Sequence, residues 1–90
     1  MGYEYQLDFD VIEPSDVDVA LRSIQGFERY IPEFGLYSFR RAATGSMPDA
    51  DAKIESSGVY ICDHGGSHQI LADIQAALGS LGYRTTLREL

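Results

Sequence analysis

The chain has 90 residues, of which 44% are hydrophobic and 23% are charged, a composition typical of one globular domain rather than of a disordered segment. Its formal net charge of −7 repels a phosphate backbone and argues against nucleic-acid binding. No stretch approaches the ~20 apolar residues that a bilayer requires, so we expect no membrane association. Residues 1–18 contain acidic residues and no basic one, which makes a basic protein the natural electrostatic partner.

Cysteine usage and the first residues bear on the compartment. Cys62 is the single cysteine, so no disulfide can form within the chain, as is usual in a reducing compartment. The first ten residues, MGYEYQLDFD, lack the basic and apolar regions of a secretory signal. We therefore expect a cytoplasmic protein that forms one domain over residues 1–90.

The first third of the chain predicts a strand followed by a helix. Residues 3–12 alternate between apolar and polar side chains, the pattern of a strand with one buried face. Pro14 ends this strand, and Ser15 is a candidate N-cap for the helix that follows. Apolar residues then recur at helical spacing, and the helix is expected to end at Gly26 or to continue toward Tyr30.

The remaining predicted elements are separated by loop and helix-cap signals. Residues 34–42 and 52–63 predict two strands, separated by a polar loop, with a bulge or kink near Gly58 in the second of them. A second helix is expected from a cap at Ser67, and residues 83–89 predict a last strand. The order is β-α-β-β-α-β.

This order resembles the ferredoxin-like sandwich, an α+β fold with a four-stranded antiparallel sheet and two helices on one face. The first and third strands would be central, and the last strand would lie beside the first. That arrangement would place Arg84 and Arg88 next to acids of the first strand such as Asp8. The side chains expected to face the helices are apolar: Tyr5, Leu7, Phe9, Val11, Val59, Ile61 and Leu87.

Three families with this fold lack support in the sequence. Acylphosphatases place a phosphate-binding loop with an arginine after the first strand, and heavy-metal chaperones place two cysteines there. This chain has the acidic segment 13–16 at that position. RNA-recognition modules need aromatic and basic residues where the first strand presents Glu4, Asp8 and Asp10. Small-molecule-sensing regulatory domains and dimeric monooxygenases are looser resemblances, and no defining motif of either occurs.

The sheet face without helices is the first candidate site. Charged side chains would steer a protein partner, and aromatic side chains would be buried on contact. The second predicted strand contributes either Tyr37 and Phe39 or Phe34 and Leu36 to that face. The candidate binding residues are Glu4, Asp8, Asp10, Tyr37, Phe39 and Tyr60. These features favour a non-enzymatic binding domain of the inhibitor, immunity or adaptor type, or one that binds a second copy of itself as a homodimer.

The segment 62–68 is the second candidate site, because it holds the only cysteine and both histidines. Cys62, His64 and His68 could ligate a metal, although their spacing matches no established motif. Cys62 could instead act as a nucleophile activated by His64, if the strand continues far enough for both to share a face. Ser67 and His68 could also offer backbone amides to an anion. The simplest interpretation is a half-buried cysteine, a turn and a helix cap, and we expect no cofactor.

Overall fold

The computed structural model describes residues 3–10, 13–41, 45–64 and 69–90. Over these ranges the chain forms six strands and two helices. They are β1 (Tyr3–Asp8), α1 (Pro14–Arg22), β2 (Phe27–Ile31), β3 (Leu36–Phe39), β4 (Ala50–Glu55), β5 (Gly58–Asp63), α2 (Gln69–Ser80) and β6 (Thr86–Glu89).

The described strands form one antiparallel sheet in the order β2-β3-β4-β5-β1-β6. The predicted four-stranded ferredoxin-like sheet is therefore wrong. Two strands were not recognised in the sequence. Strand β2 covers residues where the first helix was expected to end at Gly26 or to continue toward Tyr30, and the β4–β5 hairpin was treated as a single strand. The α+β character holds, since the two helices accompany a sheet of six strands.

Strand β2 exists because the first helix ends early, at Arg22. Gly26 then adopts a φ of +96°, which L-residues rarely adopt. A side chain at Gly26 would also meet Arg41 Cγ at 2.6 Å. The turn redirects Phe27 and Tyr30 from a helical path onto the sheet, where both pack against the core.

Strands β4 and β5 form a hairpin in which Glu55 pairs with Gly58 across a turn at Ser56 and Ser57. The irregularity predicted near Gly58 is thus a chain reversal and not a bulge within one strand. Gly58 has a φ of +149°, and a Cβ there would lie 1.8 Å from the carbonyl oxygen of Leu7. The close approach of β5 to β1 at this point depends on glycine.

The hydrophobic core lies between the two helices and one face of the sheet. Helix α1 contributes Val17 and Leu21, and α2 contributes Ile74 and Leu78, all with no solvent exposure. Of the side chains predicted to face the helices, five are buried: Tyr5, Leu7, Phe9, Val59 and Ile61. Leu87 lies on the helix side of the sheet opposite Leu7, as predicted, but it is 42% exposed and does not join the core. Val11 lies outside the described residues.

The predicted neighbourhood of the first and last strands is confirmed. Strand β6 pairs antiparallel with β1, which places Thr86 opposite Asp8 and Arg88 opposite Gln6. The Arg88 guanidinium forms an ion pair with the Asp8 carboxylate. This pair holds the pKa of Asp8 below its usual range, chiefly through the hydrogen bond from Arg88.

Candidate functional site

The sheet surface opposite the core, here called the open face, carries alternate residues of every described strand. Register places Glu4 of β1 beside Cys62 of β5, which in turn lies beside Asp51 of β4. The next row joins Gln6, Tyr60 and Lys53 in the same way, with Gln6 opposite Arg88 at its outer end. Successive side chains alternate between the faces of a strand, so these residues share the surface that the core does not use.

The open face contains paired polar groups around a half-buried aromatic ring. Tyr60 donates its hydroxyl hydrogen bond to the Glu4 carboxylate. This hydrogen bond, followed by burial, raises the pKa of the Tyr60 phenol. Gln6, the cross-strand neighbour of Tyr60, is 6% exposed, and its side-chain nitrogen has no hydrogen-bond partner among the described residues. Tyr60 is therefore held in one position by Glu4, with a buried amide beside it.

Three side chains on the open face form a connected chain of contacts. Cys62 Sγ lies 3.9 Å from His64 Nδ1, and His64 Nε2 lies 2.7 Å from Asp51 Oδ2. The His64 backbone N–H donates to the Asp49 carbonyl at 2.9 Å, so the chain remains extended beyond the last strand residue. If Nε2 carries the imidazole proton, it donates to Asp51 and leaves Nδ1 to accept from the thiol. The sequence-based condition that Cys62 and His64 share a face is met.

The electrostatic surroundings of this thiol oppose ionisation. Burial raises the pKa of Cys62, and the carboxylates of Asp51, Glu4 and Asp63 raise it further. A thiolate is the nucleophilic form, and it is usually favoured by nearby cations or a helix N-terminus. Here negative charges surround the sulfur. The contacts from Cys62 to His64 to Asp51 resemble those of a catalytic triad, but the surrounding charges disfavour the thiolate that such a triad requires.

The sequence-predicted binding residues separate into two groups in the structure. Glu4, Asp8 and Tyr60 lie on the open face, as expected. Tyr37 and Phe39 do not: they face the helices, are 4% and 0% exposed, and belong to the core. The interpretation that placed them on the open face is wrong, because the alternative parity of β3, with Leu36 outward, is the one adopted. Asp10 is exposed beyond the end of β1.

The second candidate segment is only partly within the described residues. Cys62 and His64 are described and are near each other, whereas Ser67 and His68 lie outside the described ranges. Within those ranges, no cluster of three or more His, Cys, Asp or Glu side chains is arranged to hold a metal ion. The metal ligation predicted for Cys62, His64 and His68 includes a residue outside the described ranges and stays a prediction.

A cluster on the helix side was not identified from sequence. The Arg22 guanidinium lies over the rings of Phe27, Tyr30 and Tyr37, with its Cζ 5.7, 5.2 and 5.9 Å from their centroids. Asp18 binds Arg22 Nε at 3.0 Å and accepts the hydroxyl hydrogen bond of Tyr37. The only sequence signal was the Asp18–Arg22 spacing of four residues, typical of a helix-surface ion pair.

A shallow pocket of about 390 Å³ adjoins this cluster. Its lining residues are Pro14, Ser15, Asp18, Tyr30, Gly35, Tyr37, Lys53 and Ile54. The Asp18 carboxylate that lines it already accepts hydrogen bonds from Arg22 and Tyr37. We assign the cluster to the attachment of α1 to β2 and β3 by cation–π contacts.

Comparison of the chain with protein-family models, characterised proteins and solved structures finds no match. None of the described helices is long and apolar enough to cross a membrane. Because no related protein is found, the function of the site is inferred from its own geometry.

Proposed function

We propose that this chain is a non-enzymatic binding domain that recognises a basic protein through its open face. The observation that carries the proposal is the composition of that face. The half-buried ring of Tyr60 has carboxylates of neighbouring strands around it, with Glu4 on one side and Asp51 in the adjoining row. An aromatic centre within a polar, charged surround is the common composition of protein-binding surfaces.

The charge of the chain supports a cationic partner. A net charge of −7 on 90 residues creates a field that attracts basic surfaces and raises their association rate at low ionic strength. Two of the acidic side chains, Glu4 and Glu55, are exposed, so an incoming guanidinium or ammonium group can reach them. Lys53 and Arg88 are cations on the same face, which would limit the partner to a defined orientation.

Thiol chemistry is the second candidate, favoured by the contacts that join Cys62, His64 and Asp51. This alternative would make the region a small-ligand site centred on the thiol. It ranks lower because burial and carboxylates raise the pKa of Cys62 and so reduce the thiolate fraction near neutral pH.

The test is affinity capture of a partner with matched charge variants. The immobilised chain is exposed to lysate of the source cell at low and high salt, and the captured protein is then purified for calorimetric titration. The open-face variant Glu4→Lys/Glu55→Lys is compared with Glu13→Lys/Glu33→Lys, which makes the same charge change at exposed positions outside the strands.

The proposal predicts that the open-face variant weakens partner binding by about tenfold or more, and that added salt weakens the wild type. The control variant should retain most of the affinity, since long-range attraction alone is screened beyond about 10 Å at 0.1 M salt. Equal affinities for the two variants, or capture of no stoichiometric partner at either salt, would count against the open face. The thiol site would be favoured if the chain bound a small molecule and no protein, and if His64→Ala abolished that binding.

A further inference from the structure

Strand β6 is an edge strand of the described sheet, and its side chains are exposed on both faces of the sheet. It pairs with β1 on one side, and no strand among the described residues pairs with its other side. All four residues of β6 are exposed. Leu87 points to the helix side of the sheet, as does its cross-strand partner Leu7, yet Leu87 is 42% exposed where Leu7 is fully buried.

The hydrogen bonding of β6 shows which of its backbone groups are turned outward. The Leu90 N–H donates to the Glu4 carbonyl at 2.9 Å, which fixes Glu4 and Leu90 as a hydrogen-bonded pair. Such pairs alternate along an antiparallel ladder, so the backbone groups of Thr86 and Arg88 also point toward β1. Those of Leu87 and Glu89 point away from it and can accept a further strand.

We propose that β6 pairs antiparallel with β6 of a second copy of this chain, across a two-fold axis at Leu87. Outward-pointing residues must lie opposite outward-pointing residues, so the pairing can shift only by two residues and the two-fold axis by one. Pairing centred on Leu87 places Leu87 against its copy on the helix side and Thr86 against Arg88 on the open face. Both exposed leucines would then be removed from water by the contact they make with each other.

Neighbouring registers bring like charges together. A shift of the axis to Arg88 places two guanidinium groups opposite each other, and a shift to Thr86 places Arg84 opposite Arg88. Like charges directly across a strand pair are destabilising. Pairing centred on Leu87 has no such contact, since Glu89 then faces the residue at position 85, which is Thr85.

The surroundings of β6 also make this edge a better site for self-association than the acidic surface of the molecule. Exposed apolar side chains also lie on the neighbouring strand β1 and just after β6: Tyr3 at 54% and Leu90 at 59% exposure, together with Leu87. Arg84 and Arg88 make the local charge less negative than that of the chain as a whole. Self-association at this edge therefore meets less repulsion than association through the N-terminal acids.

The experiment is sedimentation equilibrium of the full chain from about 1 µM to about 1 mM, where modest interfaces dissociate. The wild type should form a dimer. Leu87→Lys and Leu87→Glu should each raise the dissociation constant at least about tenfold, because each places like charges opposite each other at the axis. An equimolar mixture of the two variants should restore a dimer that contains one chain of each kind.

The control is Val19→Lys, at a position on α1 that is 66% exposed and far from β6 in the fold. This variant should dimerise as the wild type does. Added salt should strengthen the dimer, because two chains of −7 repel each other, which is opposite to its effect on a basic partner. A monomeric wild type over the whole range would overturn the proposal, as would a dimer unaffected by Leu87→Lys or a mixture that stays monomeric.

Discussion

Replacement of Gly58 by alanine is the most direct test of how β5 meets β1. The added Cβ would lie 1.8 Å from the Leu7 carbonyl oxygen and would also have to adopt a φ of +149°. The backbone conformation costs about 1–3 kcal/mol for a residue with a side chain. The overlap involves backbone on both strands, so relief requires separation of the hairpin from β1, at about 1–3 kcal/mol more.

The expected loss is therefore about 2–6 kcal/mol, a large part of the ~5–15 kcal/mol that stabilises a small domain. Urea denaturation followed by circular dichroism measures it, and at about 1–2 kcal/mol per molar the midpoint should fall by about 1 M or more. Gly35→Ala is the matched control for backbone strain, since Gly35 has a φ of +65° but no atom within 4 Å of the added Cβ. It should cost only about 1–2 kcal/mol.

Gly79→Ala completes the series, because this position lies in α2 with open space around it. Alanine there should raise stability by up to about 1 kcal/mol. The expected order of midpoints is Gly79→Ala, wild type, Gly35→Ala, Gly58→Ala. Equal midpoints for Gly58→Ala and Gly35→Ala would refute the close contact of Gly58 in β5 with Leu7 in β1.

Three further outcomes follow from side-chain burial and charge. Phe39→Ala should cost about 3–5 kcal/mol of unfolding free energy in urea, while partner affinity of the folded protein is unchanged, because the ring is in the core. The hydrogen bond from Tyr37 lowers the pKa of Asp18, so the stability this carboxylate contributes is present above about pH 4 and is lost as pH falls through its lowered pKa. Asp18→Asn should flatten that acid loss in urea titrations at a series of pH values. Iodoacetamide should alkylate Cys62 with a pH midpoint above that of a free thiol, and Asp51→Asn should lower the midpoint; an unchanged midpoint would contradict the assigned role of Asp51.

Strand β1 was predictable because residues 3–11 alternate between apolar and polar without interruption. Alternation indicated which side chains are buried, and the expected strand order placed Arg88 beside the acids on the other face. Strand β2 was not predictable in the same way. Phe27 and Tyr30 follow Ile24 at three-residue intervals, which fits the continuation of a helix as well as it fits the observed strand. The deciding feature is the left-handed turn at Gly26, which lies close to Arg41, a residue distant in sequence.

The candidate site shows the same division. The proximity of Cys62 and His64 depends only on local strand geometry. It was expected if the strand continued as far as His64. The third member, Asp51, was assigned to a loop because the strand was expected to begin at residue 52. In the structure β4 begins at Ala50, which places Asp51 directly beside Cys62. A two-residue error at one boundary was enough to hide the contact between Asp51 and His64.

The width of the sheet explains why side chains on the helix side are covered at the β2 edge and exposed at the β6 edge. Six strands spaced about 4.8 Å apart span about 24 Å, whereas two helices of about 10 Å diameter cover about 20 Å. At the β2 edge Arg22 extends the cover, since its guanidinium lies over Phe27 and Tyr30. At the other edge no comparable side chain covers Leu87 among the described residues, and its exposure is the result. The exposure of Leu87 thus follows from the limited width of the helix layer, and pairing with a second β6 would cover this leucine.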